Sequence, residues 1–319
     1  MRAYKTKHYL FHILKVVVVI TAFVVIYYKF RANDALSWKS FSVYMKDSDI
    51  LRFPVVLIIL ALSVCNWVFE ILKWKLLSRQ LVKISFSESV KQVLFAQTIS
   101  IFTPYKTGEY GAKTLFFERK QVKKVIFLNF LGNFSQMMIT LFFGVFGMYF
   151  FIKTKLSGYE NHYFSVVLMG IIFFLIGNLC YKNIRFTIGK YSFQKLRLFQ
   201  KRIPQDIKYK VLFYSFIRYL AFSGQFFLLL NMLMPVPFWE TMLLIFSFYL
   251  LSSLLPMITF FDVVVKGSVA LLVFSFVDTG VVLFITSVMW ILNTVFPALL
   301  GSFYVIKLKA PSTKIQIPI

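Results

Sequence analysis

The chain has 319 residues, of which 59% are hydrophobic and 40 are Phe, at a mean hydropathy of +0.75. A soluble core cannot hide that much apolar surface, so the bilayer is the expected main solvent and the fold class is all-α, a polytopic membrane protein. The formal net charge of +24 would point to nucleic acid in a soluble protein. Here most basic residues fall in short loops between apolar runs, where they set topology and touch anionic lipid, so no nucleic-acid partner is expected.

The N-terminus resembles a signal peptide, with Arg2, Lys5 and Lys7 ahead of the run Val16 to Val25, inside the first long apolar stretch, Leu10–Phe30. Tyr27, Tyr28 and Lys29 follow where a small-residue cleavage site would stand, so an uncleaved first span is expected. Phe53–Leu72, Val125–Phe151, Tyr163–Tyr181, Val211–Met234 and Val281–Ile306 are also near or above the ~20 residues a crossing needs, giving about six full spans. Two further apolar stretches are broken. Residues around 90–118 are split by Thr103-Pro104-Tyr105-Lys106-Thr107-Gly108-Glu109-Tyr110-Gly111-Ala112-Lys113, and residues around 239–277 by Pro256, Asp262 and Lys266. Such breaks survive only where protein or a wet cavity shelters the backbone, which predicts two re-entrant helix pairs, with eight simple spans as the alternative.

Basic residues orient the chain. Lys73, Lys75, Arg79 and Lys83 mark one cytoplasmic loop, and Arg119, Lys120, Lys123 and Lys124 the next. The 182–210 linker carries nine Lys and Arg against Asp206 alone, whereas 31–52 is charge-mixed and 234–240 has no basic residue. Both termini are therefore expected in the cytoplasm, with Lys307, Lys309 and Lys314 at the inner face of a bacterial-type cytoplasmic membrane. The two broken segments then enter from opposite sides. A single transmembrane domain, 1–319, results, holding an inverted repeat of about 53–151 and 211–306 joined by the 163–181 span and the basic linker. Inverted repeats of this kind place broken elements at the midplane, where transporters bind substrate.

Each broken segment has an acid four residues before a lysine, Glu109 with Lys113 and Asp262 with Lys266, which stacks the pair on one helix face. Intramembrane charge is costly, so it is read as functional, against the alternative that each pair merely neutralises a backbone break. A half-helix starting near Gly108 would turn its positive end to an anionic group, and Lys106 adds to it. Pro104, Gly108 and Pro256 are read as structural breaks. Asn66 and Glu70 share a face of the second span, with Lys73 as Glu70's obvious partner. Arg218 and Gln225 share a face of the fifth; Arg218 either snorkels outward or turns in as a phosphate ligand. Asn129, Asn133 and Gln136 form a stripe that lines a cavity or glues helices, and Asn293 reads as glue. Cys65 and Cys180 sit in apolar runs; His8, His12 and His162 cluster with no acids. No metal, cofactor or catalytic motif is expected.

Asn66…Glu70…Lys73-Trp74 followed by Thr103-Pro104…Gly108-Glu109-Tyr110-Gly111 resembles the transmembrane region of lysylphosphatidylglycerol synthases, a family that includes stand-alone flippase-like membrane proteins. The second half departs from the family pattern, Pro256 being followed by Met-Ile-Thr-Phe-Phe-Asp. The resemblance implies handling of lipid head groups without the soluble synthase domain, for which the longest linker, about thirty residues, leaves no room. The expectation is a transporter moving a phospholipid or lipid-linked anionic head group between leaflets by alternating access, not an enzyme. The candidate substrate-binding residues are Lys106, Glu109, Tyr110, Lys113, Asp262, Lys266, Arg218, Asn66 and Glu70. One alternative is a transferase acting on a lipid phosphate, disfavoured because only 12 acids are present. The other is a non-catalytic membrane subunit whose 182–210 linker recruits a cytoplasmic partner.

Overall fold

The computed structural model describes residues 52–101, 103, 106–156, 158–159, 163, 167, 187–188, 191–255 and 262–307. The expected span Leu10–Phe30, most of Tyr163–Tyr181, Pro104, Pro256, Cys180, the three histidines and the chain ends lie outside them. The described residues are almost entirely helical. Four helical stretches are long and apolar enough to cross a membrane: Phe53–Ser78, Arg119–Lys155, Gln205–Leu233 and Thr279–Lys307. They coincide with four of the six expected spans.

Helix α1, Phe53–Ser78, starts with Pro54 in its first turn, where a missing N–H costs nothing. Helix α2, Phe86–Ser100, opens on a capping box: Glu88 N donates to Ser85 Oγ (3.1 Å) and Ser85 N to Glu88 Oε2 (2.8 Å). Helix α3, Thr107–Thr114, folds back on α2, bringing Gly108 to Ile99 and the Phe116 ring onto Phe95 at 5.2 Å. A short 3₁₀ turn, Arg119–Gln121, leads into α4, Val122–Lys155. After a two-residue antiparallel bridge (Thr187–Ile188 with Tyr191–Ser192) come α5, Phe193–Arg202, and α6, Gln205–Leu233. Helix α7, Phe238–Leu254, is followed after the second break by α8, Asp262–Val273. Asp278 caps α9, Thr279–Trp290, by accepting from Gly280 N at 2.8 Å. A π-helical turn, Ile291–Val295, joins α9 to α10, Phe296–Lys307. Pro297 lacks the N–H that would serve the Asn293 carbonyl in an α-helix, which accounts for widening at that turn.

The helices pack in a swapped pattern. Helix α1 runs antiparallel to α6, with the Ile59 carbonyl accepting from Gln225 Nε2 at one end and Phe69 against Tyr214 at the other. Helix α4 lies along α7, and α10 lies along α2. Both of these crossings are close because a glycine meets backbone: Gly147 faces Leu243 and Ser247, while Gly301 faces Leu94 and Thr98. A Cβ at either position would overlap those atoms. Beside Gly301, Thr98 Oγ1 donates to the Ala298 carbonyl at 2.8 Å. Among the described residues the largest apolar cluster joins α6, α7, α8 and α9 through Phe226, Phe248, Val273 and Ile285. A second cluster, around Trp74, Leu77, Val125 and Leu128, ties α1 to α4.

Candidate functional site

Where α1, α4, α6 and the π turn cross, polar side chains meet inside the apolar bundle. Arg218 on α6 turns inward. Its Nε donates to both Asn66 Oδ1 (3.0 Å) and the Asn66 carbonyl (3.1 Å), and its Nη1 donates to Glu70 Oε2 and to Gln136 Oε1 (3.3 Å). Glu70 also pairs with Lys73 at 2.7 Å. Lys73 belongs to α1 and is 1% exposed, which corrects its expected place in a cytoplasmic loop. Sequence spacing identifies that partner of Glu70 but not Arg218, which reaches it only through the α1–α6 crossing.

Asn293, on the π turn, is the hub of an amide network. It accepts from Asn66 Nδ2 at 2.9 Å and donates to Gln225 Oε1 at 2.8 Å. π turns shift a side chain out of ordinary helical register and recur at functional sites. Asn293 binds helices together, as its sequence reading holds, and it also faces a cavity.

Both acid–lysine pairs close within their helices. Lys113 Nζ donates to Glu109 Oε1 at 2.6 Å, and Lys266 Nζ to Asp262 Oδ2 at 2.8 Å. Lys113 is further held by Asn129 Oδ1 at 2.7 Å and lies 4.3 Å from the Trp74 ring centroid. At 1% exposure it is locked behind Glu109. Asn133 donates to the Tyr110 hydroxyl at 3.2 Å. The Asn129–Asn133–Gln136 stripe therefore supports the charged groups instead of only gluing helices.

The backbone entering α3 is strained. Lys106 has φ 56°, the one non-glycine residue with positive φ among those described. Such a conformation costs an L-residue roughly 1–3 kcal/mol and clusters at ligand sites. Gly108 N donates to Thr103 Oγ1 at 2.7 Å, so one of the first amides of α3 is already capped and the open helix end expected there is partly closed. A Cβ on Gly108 would lie 2.8 Å from that hydroxyl, which is why glycine stands there.

Two adjoining cavities open at this crossing. The first, about 370 Å³, is lined by Asn66, Glu70, Lys106, Glu109, Tyr110 and Arg218, together with polar groups of α2, α4 and α7. The second, about 240 Å³, is lined by Phe222, Phe226, Phe248, Tyr249 and Met289, with Lys266 at its wall. Asn66, Lys106, Gln136, Arg218 and Asn293 face both. Six of the nine candidate substrate residues thus line the polar cavity and Lys266 lines the aromatic one. Lys113 and Asp262 face neither; each holds the partner that lies nearer the cavities. Gln97, Trp67 and Ser253 also line the polar cavity. They lack the paired-charge signal of the islands, each being a lone polar or aromatic residue in an apolar helix.

Lys106 is exposed to the cavity, and no hydrogen bond or ion pair among the described residues reaches its ammonium. The assembled cluster holds Lys73, Lys106, Lys113, Arg218 and Lys266 against Glu70, Glu109 and Asp262. The set carries two more positive than negative charges because Lys73 and Arg218 share Glu70, and Lys106 is the cation of the five that forms no ion pair among the described residues. No protein-family model, curated protein or solved structure matches this chain.

Proposed function

We propose that the protein is a flippase-like membrane transporter that moves a phospholipid or lipid-linked anionic head group between leaflets. The observation that carries this reading is Lys106, an unpaired ammonium held in a strained backbone at the junction of a polar and an aromatic cavity inside an apolar helical bundle. Charge in such a place is costly unless it is matched, and an anionic phosphate group matches it. Arg218, on the same wall, offers a planar fork suited to phosphate.

The helix pairing supports an inverted repeat of α1–α4 and α6–α10. Under that relation α1 matches α6, so their antiparallel contact is the self-pair; α4 on α7 matches α10 on α2. Gly147 and Gly301 take equivalent roles, as do the Glu109–Lys113 and Asp262–Lys266 pairs. Opposed repeats of this kind rock about a midplane site to give alternating access. The C-terminal end of α1 and the N-terminal ends of α4 and α6 carry Lys75, Arg79, Lys123, Lys124 and Lys208, and contacts such as Phe69–Tyr214 and Phe127–Phe199 gather those ends on one side. That side is assigned to the cytoplasm by its charge.

The test is reconstitution into phosphatidylcholine vesicles bearing a trace of fluorescent phosphatidylglycerol, with loss of inner-leaflet signal after an impermeant quencher as the readout. The wild-type protein is expected to expose the inner-leaflet probe and Lys106→Gln to lose most of that activity. Equal rates for Lys106→Gln and wild type, or none above empty vesicles for either, would overturn the assignment.

A further inference from the structure

Every cation of the cluster except Lys106 touches a carboxylate. Lys113 is 2.6 Å from Glu109, Lys266 is 2.8 Å from Asp262, and Lys73 is 2.7 Å from Glu70, which Arg218 shares. None of these acids is spare. Moving Glu109 or Glu70 onto Lys106 would strand Lys113 or Lys73, each only 1% exposed, and moving Asp262 would strand Lys266. Lys106 is also held where it stands. Two residues beyond it, Gly108 N donates to Thr103 Oγ1 at 2.7 Å, and Lys106 lines both cavities.

An alternating-access cycle passes through a closed state in which the site meets water on neither side. Here Lys106 is exposed to the cavity, so closure takes its ammonium out of water. With an anionic group seated on it, the closing step buries a matched pair. Without one, the step buries a lone charge, and the set holds no acid to answer it. On membrane-insertion scales that difference slows passage of the empty site by roughly a hundredfold. Arg218, which divides one carboxylate with Lys73, lies on the same wall, so one anion serves both cations.

Resting on the transport reading above, we infer that the protein is an obligate exchanger: an anionic group carried one way is matched by an anionic group carried back. The loaded site crosses readily and the empty site does not. Exchange of singly charged groups moves no net charge, so a membrane potential does not drive it. The returning group needs only the anionic phosphate that Lys106 and Arg218 can hold, a chemistry that a lipid head group and inorganic phosphate share.

The experiment uses the full chain in phosphatidylcholine vesicles with trace fluorescent phosphatidylglycerol and the impermeant quencher, in phosphate-free buffer. Short-chain phosphatidylglycerol, inorganic phosphate or short-chain phosphatidylcholine is then added outside. One of the two anions is expected to speed loss of the inner probe about tenfold, short of the full hundredfold because probe already in the outer leaflet is a weak counter-substrate. Phosphatidylcholine should leave the rate unchanged, and the anion that works identifies the source of the returning group. Gln136→Glu adds a carboxylate to the wall shared with Lys106 and Arg218. It should let the empty site cross and bring the ratio of stimulated to unstimulated rates toward one. Poor folding of that variant would lower both rates together, and the wild-type comparison then decides alone. Probe loss that neither anion accelerates, or that added anionic lipid slows by competition, overturns exchange and leaves transport standing. So does a rate that follows an imposed potassium diffusion potential with phosphatidylglycerol on both sides. No loss above empty vesicles under any condition takes the transport reading down with it.

Discussion

Arg218 and Glu70 form an ion pair across the α1–α6 crossing, 148 residues apart in the chain, with side chains only 16% and 10% exposed. Lys73 shares the same carboxylate oxygen. One acid thus balances two buried cations, and Asn66 and Gln136 satisfy further N–H groups of Arg218. Removing one member of a buried pair strands its partners, at a cost of about 3–5 kcal/mol. Glu70→Gln should therefore lower the thermal midpoint of the purified protein sharply. Adding Arg218→Met to Glu70→Gln should recover part of the loss, a coupling that a double-mutant cycle on thermal midpoints would read. Strict additivity of the two changes would mean that the pair contributes nothing beyond its separate environments.

Gly147 and Gly301 predict equal sensitivity at two sites far apart in sequence. At each, a methyl group would strike the backbone of the neighbouring helix, and backbone cannot rotate away as a side chain does. Overpacking of this kind costs about 1–3 kcal/mol. Gly147→Ala and Gly301→Ala should each lower the detergent-solubilised melting temperature by similar amounts. Gly111→Ala is the control, because nothing lies within 4 Å of its added Cβ; it should leave stability unchanged or slightly raised. A benign Gly301→Ala beside a damaging Gly147→Ala would break the equivalence of the two crossings.

The sequence makes some of this visible and hides the rest for physical reasons. Helical periodicity puts Glu109 above Lys113 and Asp262 above Lys266, and both pairs form. Spacing says that two residues share a face without saying which of them borders the cavity; Lys113 and Asp262 turn out to stand behind. Four apolar runs of sufficient length appear as helices at their expected places. The Glu70–Arg218 pair is invisible because it depends on how α1 and α6 cross. The left-handed turn at Lys106 is invisible because nothing about lysine favours it; it stands beside the close approach of Gly108 to Thr103 and Ile99, a tertiary contact. Gln97 and Trp67 escape because one amide or indole in an apolar helix looks like interhelical glue until a cavity is seen beside it.

Strain at Lys106 sets stability against binding. Glycine adopts φ 56° without the steric cost that an L side chain carries there. Lys106→Gly should stabilise the fold by about 1 kcal/mol while weakening retention of anionic lipid, since the unpaired ammonium is gone. Lys106→Asn, another residue tolerant of this conformation, should behave alike. Melting temperature and co-purified lipid, measured on the same preparations, separate the two effects. A variant that loses stability and keeps its lipid would place the lysine in a structural role.

Lys113 should show the opposite pattern to Lys106. Its ammonium is enclosed by Glu109, Asn129 and the Trp74 ring, and it does not reach the cavity. Lys113→Met keeps most of the buried methylene stem and removes the charge, leaving Glu109 without its partner. The expected result is a loss of about 3–5 kcal/mol from the broken buried pair, read as a lowered melting temperature. The released Glu109 carboxylate, which lines the polar cavity, would then offset part of the positive surplus there and weaken anionic lipid binding only indirectly. Restoring neutrality with Lys113→Met plus Glu109→Gln should return lipid retention close to wild type. Lys106→Met has no such rescue, because no acid is left unpaired by its loss. If Glu109→Gln fails to restore binding to Lys113→Met, then Lys113 itself contacts the lipid in a state of the protein other than this one, and the division between cavity-facing and supporting cations does not hold.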